Sequence, residues 1–291
     1  MHYSKQILNV KLDFGYTYTD VMSIIEDLLV KKEPGHYICT TNPEFVMDAQ
    51  VDLQFRDIIN KSDLSVPDGL GVLLARDYLT SIETSTFPNK YAKFYKSLIQ
   101  GITLGFSAST IAKLSKETIT GVELTNKLAE LSAKKKYSIY LLGGSYGNGS
   151  VGDMATDAKK VLESRYPGVN IIGATSAFSR LAKDDEATLQ FVKSDMAKND
   201  IDHIDILLVA YNHNYQDKWI TRNAHKIPAT VSMGVGRTFA LLVGNQSKEP
   251  SYMNSHGLSW LYRLVTQPSR ISRALKAFPV FPLKLFISTL K

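Results

Sequence analysis

The chain has 291 residues, 44% of them hydrophobic, which is enough for a sizeable core in one large unit or two lobes. No apolar run approaches the roughly 18 residues needed to cross a bilayer, and the opening MHYSKQILNVKLDFGY lacks the apolar core of a secretory signal, so a cytoplasmic protein is expected. The net charge of +6 does not mark a nucleic-acid binder: six of the 34 basic residues (Arg263, Arg270, Arg273, Lys276, Lys284 and Lys291) lie beyond Pro250, where no Asp or Glu occurs, and the remainder equal the 28 acidic residues.

A neutral body with a basic tail, interleaved with Trp260, Tyr262, Phe278, Phe281 and Phe286, fits an anionic membrane surface or a phosphate-bearing ligand better than a duplex. The single cysteine, Cys39, has no partner for an internal disulfide and reads as a small buried hydrophobe.

In chain order, residues 6–12 alternate like a strand, and Thr19 is a candidate cap for a helix from Asp20 to Lys31 with Val21, Ile24, Ile25, Leu28 and Leu29 on one face. A short apolar strand from Tyr37 ends at Asn42-Pro43, where proline suits the first turn of a helix burying Phe45, Val46, Ala49, Leu53 and Ile58. A second strand, Leu64 to Val66, ends at Pro67-Asp68-Gly69, before a short helix from Leu70 to Leu79. As neighbouring parallel strands, the two would bring Asn42 and Asp68 to the carboxyl edge of one sheet, where open α/β folds bind ligands.

Residues 80–118 are broken by Pro88 and then mix Lys90, Lys93 and Lys96 with Tyr91, Phe94 and Tyr95. That pattern fits either an amphipathic, membrane-facing segment or a packed helix pair with solvated lysines. Thr120-Gly121 opens a further helix to about Ala133. Four apolar runs follow, Tyr137 to Leu142, Val169 to Ala174, Ile204 to Ala210 and Ala229 to Val235, separated by helical segments. This is the punctuation of βαβ units. The expected class is α/β: a Rossmann-like, mostly parallel sheet flanked by helices.

The loops after these runs carry the chemistry. Gly143 and Gly144 either let backbone N–H groups approach a phosphate or make a tight turn. Gln216 sits at the end of the polar loop Ala210 to Asp217, and Gly234-Val235-Gly236-Arg237 closes the last run. Arg237 either meets a diphosphate or is a surface arginine. Asp200, Asp202, His203 and Asp205 precede a strand, which places them at the opposite edge as a solvated loop. No serine sits in a nucleophile elbow and the six histidines show no ligand spacing, so neither a triad nor a metal site is expected. Asp68 stands apart, because Pro67 fixes its approach and Gly69 allows a sharp reversal. It reads either as a general base toward a hydroxyl or as the cap of the Leu70 helix.

Thr41-Asn42-Pro43-Glu44, Asp63 through Pro67-Asp68-Gly69-Leu70-Gly71, Thr120-Gly121, Leu141-Leu142-Gly143-Gly144, Tyr166-Pro167-Gly168, Gln216-Asp217-Lys218-Trp219, Gly234-Val235-Gly236 and Gly257 through Leu264 occur in one order across most of the chain. Together they resemble the WecG/TagA/CpsF family of bacterial glycosyltransferases. The resemblance implies transfer of an N-acetylmannosamine-type sugar from a UDP donor to a polyprenyl-diphosphate-linked N-acetylglucosamine, without a cofactor or metal. It implies Asp68 as the base and Asn42 in the same pocket, with Thr41, Gly69, Gly143, Gly144, Gln216, Gly234 and Arg237 as further substrate-binding candidates. Arg263, Arg270 and Arg273, on a tail that approaches the inner face of the cytoplasmic membrane, are implied to close over the donor diphosphate.

The sequence departs from that pattern as well. A Gly-x-Gly-x-Pro-Lys-Gln-Glu loop is replaced by Ala210-Tyr211-Asn212-His213-Asn214-Tyr215-Gln216-Asp217, and the 80–118 region exceeds a short connector. A different donor sugar, or a membrane-associated nucleotide-sugar-binding protein without turnover, therefore stands as the rival reading. The expected organisation is a catalytic unit over 1–249 with an insertion at about 80–118, and a basic, membrane-facing helical appendage over 250–291. A homo-oligomer is compatible with all of this.

Overall fold

The structure, a computed structural model, describes residues 2–146, 152–223, 225–245 and 275–290. The chain begins with an antiparallel hairpin, β1 (Tyr3–Ile7) and β2 (Val10–Phe14), rather than one strand over 6–12. Leu8 and Asn9 both take positive φ (51° and 64°), the backbone of a two-residue turn whose twist matches paired strands. Helix α1 (Tyr18–Lys31) starts two residues before the expected Asp20, with Thr17 rather than Thr19 as its cap. Thr17 accepts from the Asp20 N–H while Asp20 accepts from the Thr17 N–H, a reciprocal box that Thr19 cannot make.

Strand β3 (His36–Thr41) leads into α2 (Pro43–Asp48), α3 (Leu53–Lys61) and β4 (Leu64–Pro67). The single helix expected after Pro43 is two, because Asp52 caps a new start by accepting from the Phe55 N–H at 3.0 Å. The phase therefore shifts: Leu53 is 60% exposed, and Phe55 and Ile59 are buried in its place.

Four helices follow, α4 (Leu70–Glu83), α5 (Lys90–Phe106), α6 (Ala108–Leu114) and α7 (Gly121–Lys135). They carry the chain to the other half of the sheet. That half alternates β5 (Ser138–Gly143), α8 (Met154–Arg165), β6 (Asn170–Thr175), α9 (Asp185–Lys198), β7 (Ile204–Ala210), α10 (Tyr215–Asn223), β8 (Ala229–Gly234) and α11 (Thr238–Leu242). A last helix, α12 (Phe281–Leu290), lies in the C-terminal segment.

Six strands form one sheet in the order β4-β3-β8-β7-β5-β6, and every pairing is parallel. Helices cover both faces, which explains why the strands read as apolar runs rather than alternating ones. Leu207 and Val209 of β7 belong to one core with Phe55, Tyr140 and Trp219, while Ile206, Leu208 and Ala210 belong to the other with Leu128, Leu141 and Phe239. The hairpin is bonded to the edge strand: Asp13 accepts from the Ser65 N–H at 2.7 Å and Ser65 Oγ donates to the Lys11 carbonyl at 2.9 Å. Phe281 and Leu285 of α12 are buried in the first of these cores, and Tyr78 of α4 shares a hydrogen bond with Thr289 at 3.1 Å.

Candidate active site

Parallel pairing of β3 with β4 sets Thr41 opposite Pro67, so the residues that follow, Asn42 and Asp68, leave the sheet side by side. The Asp68 N–H donates to the Thr41 carbonyl at 2.9 Å, extending the ladder one step past the strands. Asn42 caps α2, its Oδ1 accepting from the Phe45 N–H at 3.0 Å. The cap position of α4 falls to Gly69, at φ 102°, and not to Asp68, so the carboxylate is placed ahead of the helix rather than as its cap.

The two loops touch. A β carbon on Gly71 would lie 2.6 Å from Pro43 Cγ, so this glycine lets the start of α4 settle against the start of α2. Gly71→Ala is expected to destabilise the protein by about 1–3 kcal/mol through overpacking and to separate Asn42 from Asp68. A thermal melt beside a transfer assay checks this, and activity falling further than stability explains is the expected result.

A third element closes the same edge. The Ile119 N–H donates to the Pro67 carbonyl at 2.9 Å, and the Thr120 N–H donates to the Tyr18 hydroxyl at 2.9 Å. Burial raises the pKa of that hydroxyl, and the negative charges of Asp68 and Glu123 add to the shift. A β carbon on Gly121 would be 3.7 Å from the hydroxyls of both Thr40 and Thr238, which fixes the start of α7 between β3 and α11. The N-termini of α4 and α7, helices of 14 and 15 residues, therefore meet the carboxyl edge beside Asp68. Their dipoles make that edge favourable to anions. Tyr18 and Thr120 were not singled out as site residues from the sequence; the Thr120-Gly121 pair was the signal.

The other expected contacts divide. Thr41 is fully buried, its hydroxyl shared with Ser65 at 2.8 Å and Cys39 at 3.2 Å, so its side chain supports the strand rather than lining the edge. Gln216 is buried too, accepting from the Gly236 N–H at 2.9 Å, and a β carbon on Gly234 would strike it at 2.4 Å. These two residues lock the β7 and β8 loops together. Gly143 and Gly144 serve similarly: a β carbon on Gly143 would meet the Tyr211 ring at 2.7 Å, and the Gly144 N–H is committed to the Ala210 carbonyl at 3.0 Å. Arg237 lies half-buried at the start of α11 on this same edge. Arg263, Arg270 and Arg273 fall outside the described residues. Asp205 sits at the opposite edge, accepting from the Ser138 N–H and hydroxyl at 2.7 and 2.8 Å.

The loop over 210–217 is held by carboxylates. Asn212 and Asn214 take φ of 67° and 70°. Asparagine tolerates this region better than most residues, so Asn212 preserves a backbone turn that glycine would otherwise supply. Proline cannot reach a φ of 70°, so the loop takes its own path at Asn214. His213 Nε2 lies 2.8 Å from Asp48 Oδ2 and its ring stacks on Phe45 at 5.4 Å. Asn214 and Lys218 both donate to Asp52. Lys276, in the segment leading to α12, donates to the other oxygen of Asp48.

Behind the loop, Asp217 is buried, and burial pushes its pKa up. The Tyr37 hydroxyl and the Asn214 N–H both donate to it. Cys39 beside them is pushed up to about 12, chiefly by burial, which makes it an inert thiol.

Across this framework, the sequence model of the Glycosyl transferase WecG/TagA/CpsF family matches residues 5–87 and 83–291. The chain belongs to this family. Its WecG/TagA/CpsF relatives include proteins named N-acetylglucosaminyldiphosphoundecaprenol N-acetyl-beta-D-mannosaminyltransferase. The one from Bacillus subtilis (strain 168) is 26% identical over 257 residues, 88% of this chain and 82% of that protein. Those from Bacillus spizizenii and Staphylococcus aureus (strain NCTC 8325) are each 22% identical, over 91% and 86% of this chain and 85% and 79% of their own. Membership makes the chain a glycosyltransferase. The two stretches of the family match meet at residues 83–87, where α4 ends and the chain turns toward α5.

Proposed function

We propose that this glycosyltransferase moves an N-acetylhexosamine-type sugar, N-acetylmannosamine or its uronic acid, from a UDP donor to a polyprenyl-diphosphate-linked N-acetylglucosamine. The carrying observation is the placement of Asp68: it leaves a parallel strand beside Asn42, at the edge where the N-termini of α4 and α7 converge. The names of the relatives, which specify an N-acetylglucosaminyldiphosphoundecaprenol acceptor, support the choice of substrate.

In this reading Asp68 accepts the proton of the acceptor hydroxyl as that oxygen attacks the sugar, and the bond to UDP breaks in the same displacement. The helix N-termini and Arg237 face the developing diphosphate charge, and Arg263, Arg270 and Arg273 of the tail complete the cationic side. Asn42 uses its Oδ1 on the α2 cap, so its amide NH₂ is the part that meets substrate. Among the described residues no helix is long and apolar enough to cross a membrane. With a lipid-linked acceptor and a basic tail, the enzyme works at the inner face of the cytoplasmic membrane as a peripheral protein.

The test is acceptor-dependent UDP release across several UDP-sugars, with a lipid-diphosphate N-acetylglucosamine supplied. One donor giving release only when the acceptor is present is the expected result. Saturable UDP-sugar binding with no release from any donor would make the chain a binding protein instead.

A further inference from the structure

Helix α5 leaves a large apolar face uncovered. On a 100° helical wheel Tyr91, Leu98 and Ile102 fall within about 40° of one another, flanked by Tyr95 and Ile99, and all five point to solvent, with Tyr91 67%, Ile99 62% and Ile102 53% exposed. The opposite side, turned to the protein, carries Leu104, packed against the core, with Ser97, fully buried, and Gln100, which donates to Ser85 at 3.4 Å. A helix that leaves five large apolar and aromatic side chains together on its outer face is not arranged for water there.

The neighbouring α12 continues this surface. Phe94 of α5 meets Phe286 of α12 edge to face at 5.5 Å, and α12 leaves Leu283 and Ile287 exposed on its own outer side. Charge around the patch has one sign. No Asp or Glu occurs between Glu83 and Glu117 or after Glu249, while Lys90, Lys93 and Lys96 lie on α5 and Lys284 on α12. Lys90 and Lys93 also rim a groove with Phe87 and Leu290 at the N-terminal end of α5.

From this we infer that the outer faces of α5 and α12 form one platform that lies in the surface of an anionic lipid bilayer, with Tyr91, Tyr95, Leu98, Ile99 and Ile102 entering the acyl boundary and the lysines at headgroup level. Apolar residues flanked by lysines, with tyrosines among them, match the layered chemistry of that surface. A second copy of the chain is the poorer occupant, because a two-fold contact sets a patch against itself and would bring lysine clusters of like charge together. The inference takes its occupant from the membrane-associated reading above, and adds α5 to the tail as a contact.

Co-sedimentation with vesicles of phosphatidylglycerol and phosphatidylcholine tests it, using the full chain and Ile99→Glu/Ile102→Glu. Binding by the parent and a loss of about tenfold or more in the variant is expected, with UDP release on a short-chain, water-soluble acceptor unchanged. Equal binding by both would overturn the role of α5 while leaving the membrane reading standing. Absence of parent binding would overturn both. A parent dimer that the variant dissolves would assign the face to a second copy and sink the proposal. Tyr95→Trp/Trp260→Phe, a milder change, reads insertion against Trp260→Phe alone, which keeps the buried Trp219 as background: extra emission that is blue-shifted and quenched by brominated acyl chains is expected, and extra emission that is unshifted and unquenched counts against it.

Discussion

Asp68→Asn should lower transfer by about 10²–10⁴-fold, the range a positioned general base contributes, while leaving the melting temperature nearly unchanged. The substitution keeps shape and removes the negative charge, and with it the ability to take a proton. The Asp68 N–H continues the β3 ladder to Thr41, and asparagine retains that bond. Gly69, not Asp68, holds the cap position of α4. The loss should therefore appear in kcat, with donor binding little altered. Equal UDP release by the two proteins would remove Asp68 from the chemistry and leave the pocket in need of another base.

The second large effect is expected from the far end of the chain. Phe281 and Leu285 lie one turn apart on α12, both buried in the core that also holds Tyr78 and Ile82. Truncating either to alanine costs about 2–5 kcal/mol at a well-packed site, and among the described residues of this segment they are the two buried side chains. Phe281→Ala/Leu285→Ala should free the tail from the body, and with it the arginines assigned to the donor diphosphate. Transfer and vesicle binding should both fall by an order of magnitude or more, and proteolysis should cut the tail while the sheet stays protected. Full activity in the freed form would show that the tail is surface decoration.

The ion pair at Asp48 gives the same docking a pH signature. Burial alone would raise this carboxyl, but hydrogen bonds from His213 and Lys276 hold it below the usual value of 3.8. A depressed carboxylate stabilises the fold above its unfolded pKa and loses that contribution as pH falls through the folded one. The tail is accordingly expected to stay latched at neutral pH and to become protease-sensitive only below about pH 4.

Much of this was legible beforehand, and the misses have physical causes. The parallel strands were readable because both faces of the sheet are covered, which forces runs such as Ile204 to Ala210 to be apolar throughout. The pairing of Asn42 with Asp68 followed from two strands ending alike. The hairpin was not legible, since its turn is Leu8-Asn9 rather than a glycine pair, and the eye runs straight through it. Thr17 and Thr19 are equal as caps in isolation; only the reach of Asp20 back to Thr17 decides between them.

Among the site residues, Thr41 and Gln216 show why motif membership does not fix a role. A polar side chain that braces two loops and one that holds a ligand look the same in sequence. Their burial, and the Gly236 N–H that Gln216 accepts from, could be seen only once the loops were placed. Helix α5 is the opposite case. Its residues suggested either a membrane face or a packed pair, and the structure shows a helix that packs through Phe94 and Leu104 and leaves Tyr91, Ile99 and Ile102 exposed, a division its composition did not reveal.

The two oxygens of Asp48 reach different parts of the molecule: one meets His213, in the 210–217 loop, and the other meets Lys276, which leads into the terminal helix. Loop and tail are thereby joined through one side chain of α2. A chimera that grafts a relative's loop alone would strip one hydrogen-bond partner from that carboxylate and loosen an element some sixty residues away in sequence. The loop, α2 and the terminal segment therefore form one portable unit, to be exchanged as a set.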